Sequence, residues 1–113
     1  MKQSEIKFTV TLDDNKMPQK IDWSASDAKK ESTSKAVMIA LWDTEEKNTL
    51  RIDLWTKDMM VDEMADFYYQ TLLTMADSFH RATHQQDLAE EMKHFARDFY
   101  QKFRAQQLKE NKL

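Results

Sequence analysis

The hydrophobic pattern of this chain changes its period once, near residue 57, and this change constrains the fold more than any other feature. Before it, apolar and polar residues alternate, as they do along half-buried strands. After it, apolar residues recur every three or four positions, as they do on one face of a helix. A run of strands followed by a run of helices is typical of α+β proteins, so the sequence predicts this class.

Four strands are predicted between about residues 4 and 56. The segments with strand patterns are Ile6 to Leu12, Lys20 to Ala25, Lys35 to Trp42 and Thr49 to Trp55. Polar segments separate them: residues 13–16 and 43–48 predict turns, and residues 27–34 predict a loop. Aspartate and asparagine tolerate left-handed backbone, so they can replace glycine in such turns. We therefore expect a four-stranded antiparallel β-meander.

Two helices are predicted, over about residues 60–84 and 87–108. Asp58 is the expected cap of the first, and Asp87 with Glu90 has the spacing of a capping box for the second. The connection is short, which favours antiparallel helices. We expect both helices to pack on one face of the meander, within a single domain spanning residues 1–113. The polar residues from Gln106 onward are expected to fray.

The composition excludes several classes of function. The chain has no glycine, so it cannot contain a P-loop, a dinucleotide fingerprint or a nucleophile elbow. It has no cysteine, so disulfides and thiolate zinc sites are also excluded. A net charge of −3 gives no reason to expect nucleic acid as a partner. Neither a signal-peptide pattern nor a membrane-spanning apolar run is present, so we expect a cytoplasmic location without membrane insertion.

The residues that could carry chemistry fit ordinary structural roles better. His80 and His84 are four residues apart on a predicted helix, with His94 as a conceivable third metal ligand. Since they lack the glutamate of a zinc-protease motif and lie at a helix end, a cationic helix terminus is favoured. The acidic pairs Asp13–Asp14 and Glu45–Glu46 suit solvated turns. We therefore expect no enzyme activity, no cofactor and no metal site.

One face of the last two predicted strands does not fit a simple two-layer fold. Every second residue of a strand lies on the same face. This rule places six residues on the face opposite the helices: Met38, Ala40, Trp42, Arg51, Asp53 and Trp55. Either another segment of the chain covers this face, or it is an interface, because exposed apolar patches with tryptophan and arginine mark binding surfaces. A homodimer is the simplest interface, with Arg51 and Asp53 pairing across a two-fold axis.

Several blocks of the sequence resemble one known family. The longest runs from Lys47 to Met59 (KNTLRIDLWTKDM), and shorter ones cover residues 4–10, 18–23, 35–43, 61–64, 70–72, 75–79 and 81–83. Over residues 4–84 the chain is similar to the gliding motility-associated GldC proteins. The resemblance implies a small soluble protein of the Bacteroidetes, connected with gliding and with the protein-export machinery coupled to it. It supplies no catalytic residues.

The sequence thus supports a non-enzymatic accessory protein whose partners are other proteins, such as gliding or secretion components, and a second copy of itself. The alternative is an export chaperone, because four strands followed by two helices resembles the element order of SecB. Such a holdase would bind unfolded secreted chains. A carrier of a small ligand, held between sheet and helices, is a third hypothesis that requires an internal cavity.

Overall fold

A computed structural model describes residues 1–27 and 30–110 and confirms the α+β class, with all strands preceding the helices. The elements are β1 (Ile6–Leu12), β2 (Pro18–Ala25), β3 (Lys30–Ser34), β4 (Ala36–Trp42), β5 (Thr49–Trp55), α1 (Val61–Thr83) and α2 (Gln86–Glu110). The chain forms two compact units, residues 1–59 with the strands and residues 60–113 with the helices. No helix in the described part is long and apolar enough to cross a membrane.

The first sheet has three antiparallel strands in the order β1-β2-β3. Val10 lies opposite Ile21, and Thr9 lies opposite Asp22, so apolar and polar residues are matched in rows. Ile21 is 1% exposed and is the largest fully buried side chain in this unit. The alternating apolar residues of β1 and β2 therefore lie on one face of the sheet, because side chains two apart along a strand share a face.

Strand β3 lies where a loop was predicted. Its five residues, KESTS, include no large apolar side chain, so they give no periodic signal. They nevertheless pair with β2, with Ser34 opposite Ile21 and Thr33 opposite Asp22. A β-ladder needs only backbone N–H and C=O groups, and these are independent of side-chain polarity. Residues 28 and 29 of the predicted loop lie outside the described residues.

Within residues 1–27 and 30–110, the second sheet consists of β4 and β5, so the predicted meander is divided into two sheets. A single residue, Lys35, separates β3 from β4. Its carbonyl oxygen accepts a hydrogen bond of 2.8 Å from the N–H of Thr56, just beyond β5. The chain therefore leaves the first sheet and enters the second at Lys35, and the described residues form five strands rather than the four predicted.

The predicted turn between β1 and β2 is present. The Oδ1 of Asp13 accepts hydrogen bonds from the backbone N–H of Asn15 at 2.8 Å and of Met17 at 3.0 Å. Lys16 has φ of 63°, in the left-handed region. An aspartate therefore closes the turn, as expected, but a lysine rather than an aspartate or asparagine takes the left-handed position.

The turn between β4 and β5 is built in the same way. The Oδ2 of Asp43 accepts a hydrogen bond of 2.6 Å from the N–H of Glu46. Lys47 has φ of 55°, and its N–H donates to the carbonyl of Asp43 at 3.0 Å. Both hairpins thus combine an aspartate that accepts backbone bonds with a left-handed lysine.

Helices α1 and α2 form an antiparallel hairpin, as predicted. Tyr69 stacks on Tyr100 with ring centroids 4.5 Å apart, and the ammonium of Lys93 lies 2.8 Å from a carboxylate oxygen of Asp77. This hydrogen bond lowers the pKa of Asp77 and raises that of Lys93. The buried residues of the hairpin are four alanines: Ala65, Ala76, Ala89 and Ala96. Small side chains at the seam allow the two backbones to approach closely.

The cap of α1 differs from the predicted one. The N-cap is Met60, whose N–H donates to the Oε1 of Glu63 at 3.0 Å, so Asp58 is not the cap. At the other end the helix stops at His84, which has φ of 59° and donates its N–H to the carbonyl of His80 at 2.8 Å.

Helix α2 begins one residue earlier than predicted and extends further. It starts at Gln86, so Asp87 lies in its first turn and is not the N-cap of a capping box. It continues to Glu110, two residues beyond the end predicted near residue 108. Residues 111–113 lie outside the described part.

Candidate interaction surface

The hairpin of β4 and β5 brings the six predicted interface residues onto one face. In the antiparallel register Met38 lies opposite Asp53, and Ala40 lies opposite Arg51. Residues opposite each other in a ladder share a face, and so do residues two apart along a strand. We call this surface the tryptophan face: Met38, Ala40, Trp42, Arg51, Asp53 and Trp55.

The two tryptophans lie at opposite ends of the tryptophan face. Trp42 is opposite Thr49, whereas Trp55 is opposite Ala36, which lies six residues before Trp42 on β4. At about 3.3 Å per residue this is roughly 20 Å, so the indoles do not touch within one hairpin. Trp42 is 67% exposed and Trp55 is 55% exposed. They therefore form two separate aromatic anchors.

A charged pair occupies the centre of this face. The Nη2 of Arg51 lies 2.7 Å from the Oδ1 of Asp53, two residues further along β5. Their side chains are 45% and 36% exposed, and a pair so open to water contributes little to stability. Its position matters more, because it places a complementary pair of charges between the two tryptophans.

The opposite face of the same hairpin is entirely apolar. It consists of Val37, Ile39, Leu41, Leu50, Ile52 and Leu54, and we call it the aliphatic face. The alternation places this face on the side of the predicted helices, yet Leu41, Leu50 and Ile52 are each about half exposed. The alternation identified which residues share the face, but a pattern within one strand carries no information about what covers it.

An ion pair connects the end of β5 to the first hairpin. The ammonium of Lys57 contacts the Oδ2 of Asp13, whose side chain is only 16% exposed. The hydrogen bond from Lys57, followed by that from the N–H of Met17, lowers the pKa of Asp13. The carboxylate is therefore held ionised as part of a turn.

The other residues considered for chemistry are dispersed. His80 and His84 are exposed at the end of α1, and His94 is exposed on α2. Glu45 and Glu46 are exposed in the turn before β5. Among residues 1–27 and 30–110, no group of three or more histidine, aspartate or glutamate side chains is arranged to hold a metal ion.

Comparison with models of known protein families gives one match for this chain. Residues 18–105 match the family model described as Gliding motility-associated protein GldC-like, and this range includes β2 to β5, all of α1 and most of α2. No curated protein and no solved structure matches the chain significantly. The family match covers well over half of the 113 residues, including the whole tryptophan face. The chain therefore belongs to the GldC-like family of gliding motility-associated proteins.

Proposed function

We propose that this chain is a non-enzymatic accessory protein of gliding motility and its associated secretion machinery, and that it binds a protein partner through the tryptophan face. The family assignment supports the connection with motility. The binding mode is our inference from the β4–β5 hairpin.

The observation that carries this proposal is the exposure of Trp42 and Trp55, at 67% and 55%, on the same face of one hairpin. Tryptophan and arginine are the side chains most enriched at binding hot spots, and Arg51 lies between the two indoles. Burial of an aromatic side chain on binding removes a large apolar area from water. The tryptophan face therefore has the composition of a specific protein-binding site.

A holdase for unfolded secreted chains is a second candidate. The exposure of Leu41, Leu50 and Ile52 favours it, because chaperones need apolar area that accepts many sequences. The two candidates differ in selectivity. A holdase should suppress aggregation of a chemically denatured enzyme unrelated to the host, whereas an accessory protein should not.

Replacement of Trp42 by alanine tests the accessory function. In a gliding bacterium whose own family member is deleted, the Trp42→Ala variant should fail to restore spreading on agar, although it accumulates to the wild-type level. Leu41→Ala is the matched control, since Leu41 is the neighbouring residue, is 54% exposed and faces the opposite side. Full spreading with Trp42→Ala would contradict a role for this face.

A further inference from the structure

The β4–β5 sheet has two open edges in the part of the chain that the structure describes, because no third strand joins it there. The directions of its backbone groups follow from two hydrogen bonds just outside the ladder. Thr56 donates to Lys35, and Asp43 donates to Asn48. Hydrogen-bonded and non-hydrogen-bonded pairs alternate along an antiparallel ladder. Arg51 and Asp53 therefore belong to non-hydrogen-bonded pairs.

Residues in such pairs direct their N–H and C=O groups away from the partner strand. On the outer edge of β5 these residues are Thr49, Arg51, Asp53 and Trp55. A row of outward-directed backbone groups is a template for another strand. A two-stranded hairpin is also marginally stable in water, and more strands around an apolar face stabilise it.

We propose that β5 pairs antiparallel with β5 of a second copy of this chain, about a two-fold axis at Ile52, to form a continuous four-stranded sheet β4-β5-β5-β4. This inference deepens the proposed function, because it rests on the same hairpin and gives each assembly two tryptophan faces. It uses the edge of β5, so it leaves both indoles on the surface.

Charge complementarity selects the second copy as the occupant. The seven residues of β5 are centred on Ile52, with Arg51 and Asp53 on either side. In the register centred there, Arg51 lies opposite Asp53 of the second copy, and the reverse pair forms on the other side of the axis. Shifting the centre by one residue in either direction would place arginine opposite arginine or aspartate opposite aspartate. Like charges directly opposite each other destabilise a sheet, so the charges favour one register.

The same register matches the remaining side chains. On the aliphatic face, Ile52 meets its own copy, and Leu50 meets Leu54 of the second copy, so aliphatic side chains continue across the axis. On the tryptophan face, Trp55 meets Thr49 of the second copy, which lies opposite Trp42 in its own hairpin. A small residue therefore separates two large aromatic ones. Aromatic and β-branched side chains in cross-strand pairs stabilise sheets.

The edge of β4 is less suited to this pairing. Its outward-directed residues are Ala36, Met38, Ala40 and Trp42, none of which is charged, so nothing on it selects a register. It also begins one residue after β3, where the chain enters the first sheet. Pairing through β4 is therefore the competing arrangement that an experiment must distinguish.

A single introduced cysteine distinguishes the two edges, because the chain contains none. In the proposed sheet Ile52 faces its own copy in a non-hydrogen-bonded pair, with Cα atoms about 4.5 Å apart. This distance suits a disulfide. Ile52→Cys should form a covalent dimer under mild oxidation. Ile39→Cys is the matched control: it lies opposite Ile52 on β4, about 14 Å from its copy across three strand spacings, and should stay monomeric on denaturing gels.

Charge reversal provides an independent test. Arg51→Asp and Asp53→Arg each place like charges opposite each other, so each variant alone should dimerise at least about tenfold more weakly than the wild type. An equimolar mixture should recover dimers, because in the mixed pair the aspartate introduced at position 51 meets the arginine introduced at position 53 on one side of the axis. On the other side, the native Asp53 of the first variant meets the native Arg51 of the second. The charge pair within one strand cannot explain this recovery. Light scattering measures the masses, and circular dichroism checks folding of the separate variants.

The proposal is overturned if the wild type is monomeric by light scattering at high micromolar concentration. It is also overturned if Ile39→Cys cross-links as readily as Ile52→Cys, or if neither does. Failure of the accessory function would appear separately, as normal spreading with Trp42→Ala. Since Trp42 lies on β4, away from the β5 edge, that variant should remain dimeric.

Discussion

At the scale of single residues, the chain folds without glycine by placing ordinary side chains in left-handed backbone. Lys16, Lys47 and His84 all have positive φ. For residues with a Cβ this conformation costs about 1–2 kcal/mol, because the Cβ crowds the following carbonyl. Each of the three ends a regular element: one in the β1–β2 turn, one in the β4–β5 turn and one at the end of α1. Among the residues that the structure describes, the fold therefore tolerates this conformational cost at three positions where glycine would avoid it.

Lys47→Gly should stabilise the protein. Glycine removes the left-handed penalty, while its extra freedom in the unfolded chain offsets part of the gain, so we expect about 0.5–1 kcal/mol. Thermal unfolding should shift upward by a few degrees. Lys7→Gly is the matched control, because Lys7 is exposed on regular strand β1, where glycine should destabilise by a similar amount. Equal effects of the two substitutions would contradict this explanation.

Asp13 should give the protein part of its resistance to acid. Its pKa lies below the ordinary 3.8, mainly because of the hydrogen bond from Lys57. Between pH 3.8 and the lower pKa of the folded state, the unfolded chain therefore binds a proton at this carboxylate that the folded chain does not. The stabilisation is therefore complete above pH 3.8 and is lost as the pH falls through the folded-state pKa. Urea unfolding gives the free energy of unfolding of the wild type and of Asp13→Asn. The difference between these two free energies should be constant near neutral pH and should become smaller in acid. Asp14→Asn, which leaves the Lys57 pair intact, should not reproduce this narrowing.

At the scale of elements, the sequence predicts what local periodicity encodes. Both helices and four of the five strands are found where the apolar period indicates them. The sequence pattern does not predict strand β3, because its residues have no apolar period. Its pairing with β2 depends on backbone groups that are distant in sequence. The predictions of the helix caps are wrong for a different reason. Asp58 and Asp87 have the side chains that caps prefer, but the backbone places Met60 at the cap of α1 and Asp87 inside the first turn of α2.

Met60→Ser should strengthen the start of α1. Met60 has the extended backbone of an N-cap, and Glu63 already bonds its N–H at 3.0 Å. A serine hydroxyl can accept a bond from the third helical N–H and complete the reciprocal pair, which should raise the free energy of unfolding by about 1 kcal/mol. Since Met60 is 61% exposed, little packing is lost. Chemical denaturation measures the change, and an unchanged midpoint for Met60→Ser, alongside a loss for Glu63→Ala, would show that Glu63 alone caps the helix.

At the scale of the whole molecule, the sequence identifies the members of the tryptophan face correctly but cannot show their spacing or what lies beyond the hairpin. Period two puts Trp42 and Trp55 on one side, whereas the antiparallel register separates them by about six residues and places the Arg51–Asp53 pair between them. Exposure is a property of the assembled chain, so the half-exposed aliphatic face had no signal in the sequence. The packing of the helices on a sheet face and the dimer stay predictions.

The proposed two-fold sheet makes motility depend on an assembly rather than on one chain, and the charge-reversal pair tests this dependence in cells. Cells expressing only Arg51→Asp or only Asp53→Arg should spread poorly, because neither variant pairs with itself. Cells expressing both should spread like the wild type, because the two variants complement each other along β5. Cells that carry two gene copies of the same variant control for the amount of protein, and their spreading should stay poor. If each variant alone supports full spreading, gliding does not require the paired sheet, whatever its stability in solution.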